Sequence, residues 1–230
     1  YSLVSGAYIV NDPAKVDKDV TKPISQKIVG VDGVKTVTAT AFGNFYTIQI
    51  EYDTTISSKD GNARVEKAVK DANIIPAQAS ALFQPLDFGS PNGKGDDILL
   101  SFYANDNNVS TEALVKKANE AATALQNSGQ VSLAQSFTVD SPFVYAPSAG
   151  GQIQSTQKNF DRFGIRKENN NFYTSVIIGV KGVQGFDVLK LDKQLQDATK
   201  SLSEKPEFSG YTATVSYSIA PSITQQISQL

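Results

Sequence analysis

The side chains here that could do chemistry are carboxylates, amines and hydroxyls. The 230 residues include 23 Asp and Glu and 21 Lys and Arg, with no His and no Cys. Without His and Cys there is no Ser-His or Cys-His nucleophile pair. The usual zinc ligand sets and disulfides are excluded too. Carboxylate catalysis and Ser-Lys pairs remain, but the commonest acid-base residue is missing. Two stretches imitate ligand loops. Gly89 to Gly95, with Lys94, has the flavour of a phosphate loop, but the spacing is wrong and Gly95 stands where a Ser or Thr would hold magnesium. Its composition reads as a linker. Asp106, Asn108 and Ser110 open like a calcium loop, yet Thr111 replaces the required Gly and Lys117 the bidentate Glu. A polar turn capping a helix is the better reading. Asn108-Val109-Ser110 is a glycosylation sequon of a kind frequent by chance. No catalytic residue, metal ligand or cofactor is therefore expected, and the chain does not read as an enzyme.

Composition narrows the partners. A net charge of -2 offers no basic footprint for nucleic acid. At 40% hydrophobic the chain can build ordinary cores. No stretch approaches the roughly 20 apolar residues of a spanning helix. There is no signal-peptide pattern, and a chain that starts at Tyr1 and contains no Met reads as a segment excised from a longer protein.

The elements follow from periodicity. Ser2 to Val10 reads as a strand. Asp12 and Pro13 start a helix, on which Val16, Val20, Ile24 and Ile28 recur every four residues. Pro23 inside it should kink the helix or loosen one turn. Gly30 and Gly33 end it. Val34 to Ala41 and Phe45 to Tyr52 form a hairpin around Gly43-Asn44. Tyr46, Ile48, Ile50 and Tyr52 should face a core, with Thr47, Gln49 and Glu51 toward water. A helix over Lys59 to Ala72 and a strand over Gln78 to Leu86 complete β-α-β-β-α-β, the ferredoxin-like order.

Phe88 to Asp96 breaks the pattern with three Gly and one Pro. The order then restarts: strand Asp97 to Ala104, helix Ser110 to Asn127, strand Gln130 to Val139. Asp140 to Asn171 is rich in Ser, Gly, Gln and Asn, and around Ala146 to Gln157 it reads as an irregular excursion. A strand over Phe172 to Val180, a helix capped by Asp187 and an alternating strand from Tyr211 to Ile219 follow. The expected fold is α+β: two tandem ferredoxin-like units, at 1-90 and 97-230, the second carrying a short insertion at about 140-171.

Several of these residues resemble one family. Val20-Thr21-Lys22-Pro23-Ile24, the turn Gly30-Val31-Asp32-Gly33-Val34, Thr38 to Thr40, the run Arg64-Val65 to Ala72 with Pro76 beyond it, and Val215-Ser216-Tyr217-Ser218 leading to Leu230 all take part. In order and spacing they resemble the first extracytoplasmic segment, or porter region, of resistance-nodulation-division transporters. The resemblance implies a non-catalytic, substrate-handling domain on the extracytoplasmic face of a bacterial cell membrane. It implies a hydrophobic, amphipathic or lipid-like cargo, and as partners the membrane helices and second extracytoplasmic part of the same transporter. A trimer is implied for the intact protein.

Two departures matter. The insertion is too short for the docking domain of pumps that reach an outer-membrane channel. The drug-pump pocket phenylalanines fall at Ile98 and Ala134. The nearest aromatics, Phe102, Phe137, Phe143 and Tyr145, are the substrate-binding candidates, with core packing as the alternative for the last three. Phe42, Phe45 and Tyr46 at the hairpin tip are candidates for an interface, to substrate or to a neighbouring domain. A lipid exporter of the mycobacterial membrane-protein-large type is a rival within transport. A cell-surface binding or adhesion module, with one anchor or none, is the rival outside it.

Overall fold

The computed structural model describes residues 1–86, 95–166 and 171–228. The loop from Gly89 to Lys94 therefore lies outside the described residues. In chain order the first elements are β1 (Ser2–Ala7), α1 (Pro13–Val16), a π turn (Asp17–Thr21), α2 (Lys22–Val29), β2 (Val34–Phe42), β3 (Phe45–Tyr52), α3 (Ser58–Ala72) and β4 (Leu82–Pro85). Next come β5 (Ile98–Ala104), α4 (Thr111–Asn127) and β6 (Ala134–Asp140), then β7 (Phe143–Pro147), β8 (Ile153–Gln157) and β9 (Asn159–Ile165). The chain continues with β10 (Asn171–Gly182), α5 (Val188–Ser203), a 3-10 turn (Pro206–Phe208), β11 (Tyr211–Tyr217) and α6 (Ala220–Ser228). The protein is α+β, with antiparallel strand pairing and several helices. No helix among the described residues is long and apolar enough to cross a membrane.

The chain divides into two compact units, Tyr1–Asp87 with Ser141–Phe172, and Phe88–Asp140 with Tyr173–Leu230. This corrects the sequence reading, which left the excursion with the second half. It also corrects the view of the excursion as irregular. β7 and β8 form a two-stranded hairpin, and β9 pairs antiparallel with β2 from Thr36↔Ile165 to Phe42↔Asn159. Polar composition hid these strands, because a ladder of backbone hydrogen bonds is made by main-chain groups and needs no apolar alternation.

In the first unit the strands lie in the order β4-β1-β3-β2-β9. Val4, Val37, Ala39, Ala41, Tyr46, Ile48 and Ile50 join one core with Val16, Val20, Ile24, Ile28, Val65 and Val69 of the helices. The first helix presents four fully buried residues at strict four-residue spacing, Val16, Val20, Ile24 and Ile28. In an ideal α-helix that spacing drifts by about 40° per step, so the row would rotate off the sheet by roughly 120°. The π turn takes up one extra residue and returns the row to the core. Lys22 N–H closes it by donating to the Asp17 carbonyl. Pro23, with no N–H and a ring that crowds the preceding turn, makes that looser winding favourable. Asp12 caps the start, its Oδ1 accepting from Ala14 and Lys15 N–H at 3.0 and 3.2 Å.

The other face of the β2-β3 pair is not wet as its polarity suggests. Gln49 and Glu51 are buried. Glu51 accepts from Lys35 Nζ at 2.8 Å and Thr36 Oγ1 at 3.0 Å. The expected strand at Gln78 to Leu86 shortens to β4, and only a single bridge joins Tyr8 to Ala79 before it.

The second unit orders its strands β11-β5-β10-β6. Leu100, Phe102, Val176, Ile178 and Val180 are buried, as are Leu114, Ala118, Ala121 and Leu125 of α4 and Leu191, Leu195, Ala198 and Leu202 of α5. Ser110 and Asp187 cap the two helices as their positions predict.

Two predictions follow from this packing. A Cβ at Gly6 would press into the Ser80 carbonyl. Gly6→Ala should therefore lower stability by about 1–3 kcal/mol in a denaturant titration. Burial pushes the Tyr46 and Tyr52 phenols up to about 12 from the usual 10.0. Raised values mean a contribution fully present below the ordinary phenol pKa and lost as pH climbs through the folded value. Unfolding free energy should fall between pH values of about 10 and about 12, and less steeply in a Tyr46→Phe, Tyr52→Phe variant.

Candidate functional site

The concave surface lies on the second unit, along α4. One hollow of about 640 Å³ is lined by Lys116, Asn119, Glu120, Thr123, Ala124, Glu207 and Phe208. Its size is in the range of small-molecule sites. Positions 116, 119, 120 and 123 are three and four residues apart, so α4 presents them as one stripe. Pro206 starts the 3-10 turn that sets Phe208 opposite. A smaller hollow of about 200 Å³ is lined by Asn119, Ala122, Thr123, Gln126, Asn127, Phe137 and Val139. Asn119 and Thr123 are common to both.

The polar groups on that shared ridge are already engaged with the helix. Asn119 Nδ2 donates to the Val115 carbonyl at 2.8 Å, and Thr123 Oγ1 donates to the Asn119 carbonyl at 2.9 Å. Lys117 Nζ sits 4.9 Å from the Phe208 ring centroid and 6.0 Å from that of Tyr211. It also donates to Glu120 at 2.7 Å, which holds the Glu120 carboxyl below its ordinary value. A cation over two ring faces is electrostatically favourable and fixes the rings. The arrangement has an apolar floor and a rim of both charges. It can bind a molecule with apolar bulk.

The sequence-derived candidates separate. Phe102 is buried in β5 and stacked on Tyr211, with centroids 5.6 Å apart and planes 10° apart. It serves the core rather than a surface site. Phe137 is partly buried and lines the smaller hollow. Phe143 and Tyr145 belong to the first unit, on β7. Phe143 is buried, whereas Tyr145 is 63% exposed. The four divide between the two units. Of the interface candidates, Phe42 and Phe45 are exposed and 6.2 Å apart. Tyr46 is not on that surface. Adjacent residues of a strand point to opposite faces, so Tyr46 turns into the core, where its hydroxyl donates to the Ser80 carbonyl at 2.7 Å. Sequence reading missed Phe208, Lys117 and Tyr211. Their one signal was an aromatic inside the Glu204 to Gly210 turn.

Comparison with known proteins adds three findings. No family model matches the chain. It is 31% identical over 74 residues to the swarming motility protein SwrC of Bacillus subtilis (strain 168), a stretch that covers 32% of this chain and 7% of that protein. Among solved structures, a heavy metal efflux pump aligns over 94% of this chain and 28% of its own, with 11% identity and a TM-score of 0.34. The chain thus spans under a third of either protein's length.

The chain has no Trp, so Thr123→Trp would place a single reporter between the two hollows. Its emission should shift saturably when an apolar amphiphile is titrated in. An emission that drifts linearly, or not at all, would make the hollows mere surface relief.

Proposed function

We propose that this chain is an extracytoplasmic porter segment of a resistance-nodulation-division exporter, non-catalytic itself, that handles a hydrophobic, amphipathic or lipid-like cargo. The observation that carries the reading is the repeated topology. Each unit runs β-α-β-β-α-β, and each arranges those four strands with the first and third in the middle: β4-β1-β3-β2 in one, β11-β5-β10-β6 in the other. These orders support a reading of two ferredoxin-like units in one chain. The second unit interrupts it between β6 and β10, where the resembling family carries its insertion.

Further support comes from the helix around Thr21-Lys22-Pro23-Ile24, whose residues resemble the family's and which adopts a specialised π turn. The local identity to a bacterial protein supports a bacterial host. Energy coupling would belong to membrane helices elsewhere in the protein, and a second extracytoplasmic part and trimeric assembly would complete it. The hollows along α4 suit a ligand with apolar bulk, and their mixed-charge rim fits an amphipathic one.

The test is the hydropathy of the coding sequence around this segment. One apolar span of roughly 20 residues before it and a cluster of such spans after it match an exporter. A lone anchor, or further soluble repeats, overturns the exporter and favours a surface binding module. Native mass spectrometry of the chain with lipids and with drug-like amphiphiles then separates the cargo classes; retained lipid favours a lipid exporter.

A further inference from the structure

We propose that the free edge of β8 pairs antiparallel with β8 of a second copy of this chain, so that two hairpins join into one sheet about a two-fold axis. The pairing uses only the hairpin and needs nothing from the exporter reading.

Among the described residues β7 and β8 pair only with each other, from Phe143↔Gln157 to Pro147↔Ile153. Val144 to Pro147 are exposed, and so are Ile153 to Thr156. Tyr145 and Ile153 are 63% and 76% exposed. Two strands alone are marginally stable in water; a third strand or more, with an apolar face, is needed for independent stability. The hairpin is thus short of strands and shows apolar side chains to solvent.

Its backbone bonds show which edge is open. Ser148 N–H donates to the Gln152 carbonyl at 2.7 Å, and Lys158 N–H to the Pro142 carbonyl at 2.8 Å. These bonds fix the phase of the ladder. Even-numbered residues face their partners across the hairpin, and odd-numbered residues turn their N–H and C=O outward. On β7 the outward residues are Phe143, Tyr145 and Pro147. That edge is blunted at both ends: Phe143 N–H donates to Ser141 Oγ at 3.3 Å, and Pro147 has no N–H. On β8 the outward residues are Ile153, Ser155 and Gln157. Neither proline, bulge nor charge guards them. The fold closes one edge of the hairpin and leaves the other bare.

The occupant follows from self-complementarity. No charged residue stands between Ser141 and Gln157, so two copies of β8 meet without like-charge repulsion. With Ser155 opposite Ser155 of the second copy, Ile153 falls opposite Gln157. Every outward N–H then meets an outward C=O. Gln154 falls opposite Thr156, on the other sheet face. Tyr145 and Ile153 share a face within each hairpin, and pairing makes that face continuous across both copies. The outer edges of the joined sheet are the two blunted β7 strands, so assembly closes at a dimer. Strands this short bury well under the roughly 1,200 Å² of a stable interface, so the dimer is weak and concentration-dependent.

Sedimentation of the full chain between about 10 μM and about 1 mM tests this. The dimer fraction should rise with concentration. Ser155→Pro removes an outward N–H and leaves the hairpin's own ladder intact, so it should cut dimer at the highest concentration about tenfold. A second measurement reads the register. The chain has no native Cys. Gln154→Cys and Thr156→Cys chains, mixed in equal amounts and mildly oxidised, should yield the mixed disulfide about fivefold over either same-variant one, since only the mixed pair is directly opposite. Three results overturn the proposal. A chain that stays monomeric leaves the edge to a foreign strand or to solvent. Association unchanged in Ser155→Pro puts the interface on another surface. Disulfides in random proportions mean collision without a register.

Discussion

The first unit depends on keeping four residues of one helix, Val16, Val20, Ile24 and Ile28, over the same sheet face. All four are fully buried. Regular α winding cannot keep a four-residue repeat aligned for three steps. The π turn at Asp17–Thr21 resolves the conflict, and Pro23 makes it the favoured place for looser winding. The rest of that unit is arranged around the aligned row. Ala39 and Ala41 are small where the helix crosses, and Ile48 and Ile50 meet it from β3. Asp17, brought to the inner side by the same turn, meets Arg162 from β9.

The second unit solves the same packing problem without a distorted helix. α4 and α5 are regular, each with a polar N-cap and an apolar face at three-and-four spacing. Its irregularity lies instead in the connection between β6 and β10. In the first unit the equivalent strands are joined by Gly43-Asn44 alone, with Gly43 at φ 58°. Here the connection builds the β7-β8 hairpin and β9 before it reaches β10. The two units thus differ in where the chain is irregular. A buried Arg162–Asp17 fork lies in one, and hollows lined by Phe208 and by Phe137 lie in the other.

The same aromatic residue type serves opposite roles at adjacent positions. Phe45 is half exposed at the hairpin tip, and Tyr46 beside it is a core residue with a satisfied hydroxyl. Phe102 was a reasonable ligand contact by position but is a packing residue by direction. Phe208, inside what reads as a turn, lines the hollow of about 640 Å³. Local periodicity tells which face of an element a residue occupies. It does not tell what lies over that face.

The sequence by itself determined the element order, the caps at Asp12, Ser110 and Asp187, the hairpin at Gly43-Asn44 and the loosened turn before Pro23. Each rests on forces acting within a few residues: cap hydrogen bonds, glycine's backbone freedom, proline's missing N–H. It also excluded thiol and imidazole chemistry, since those atoms are absent. Only the tertiary structure decided that residues 141–172 join the first unit, that Gln49 and Glu51 are buried, and that Arg162 meets Asp17, 145 positions away. Those outcomes depend on which distant segment supplies the neighbouring strand. Backbone ladders are built from groups that every residue but proline carries in full, so composition carries no record of the choice.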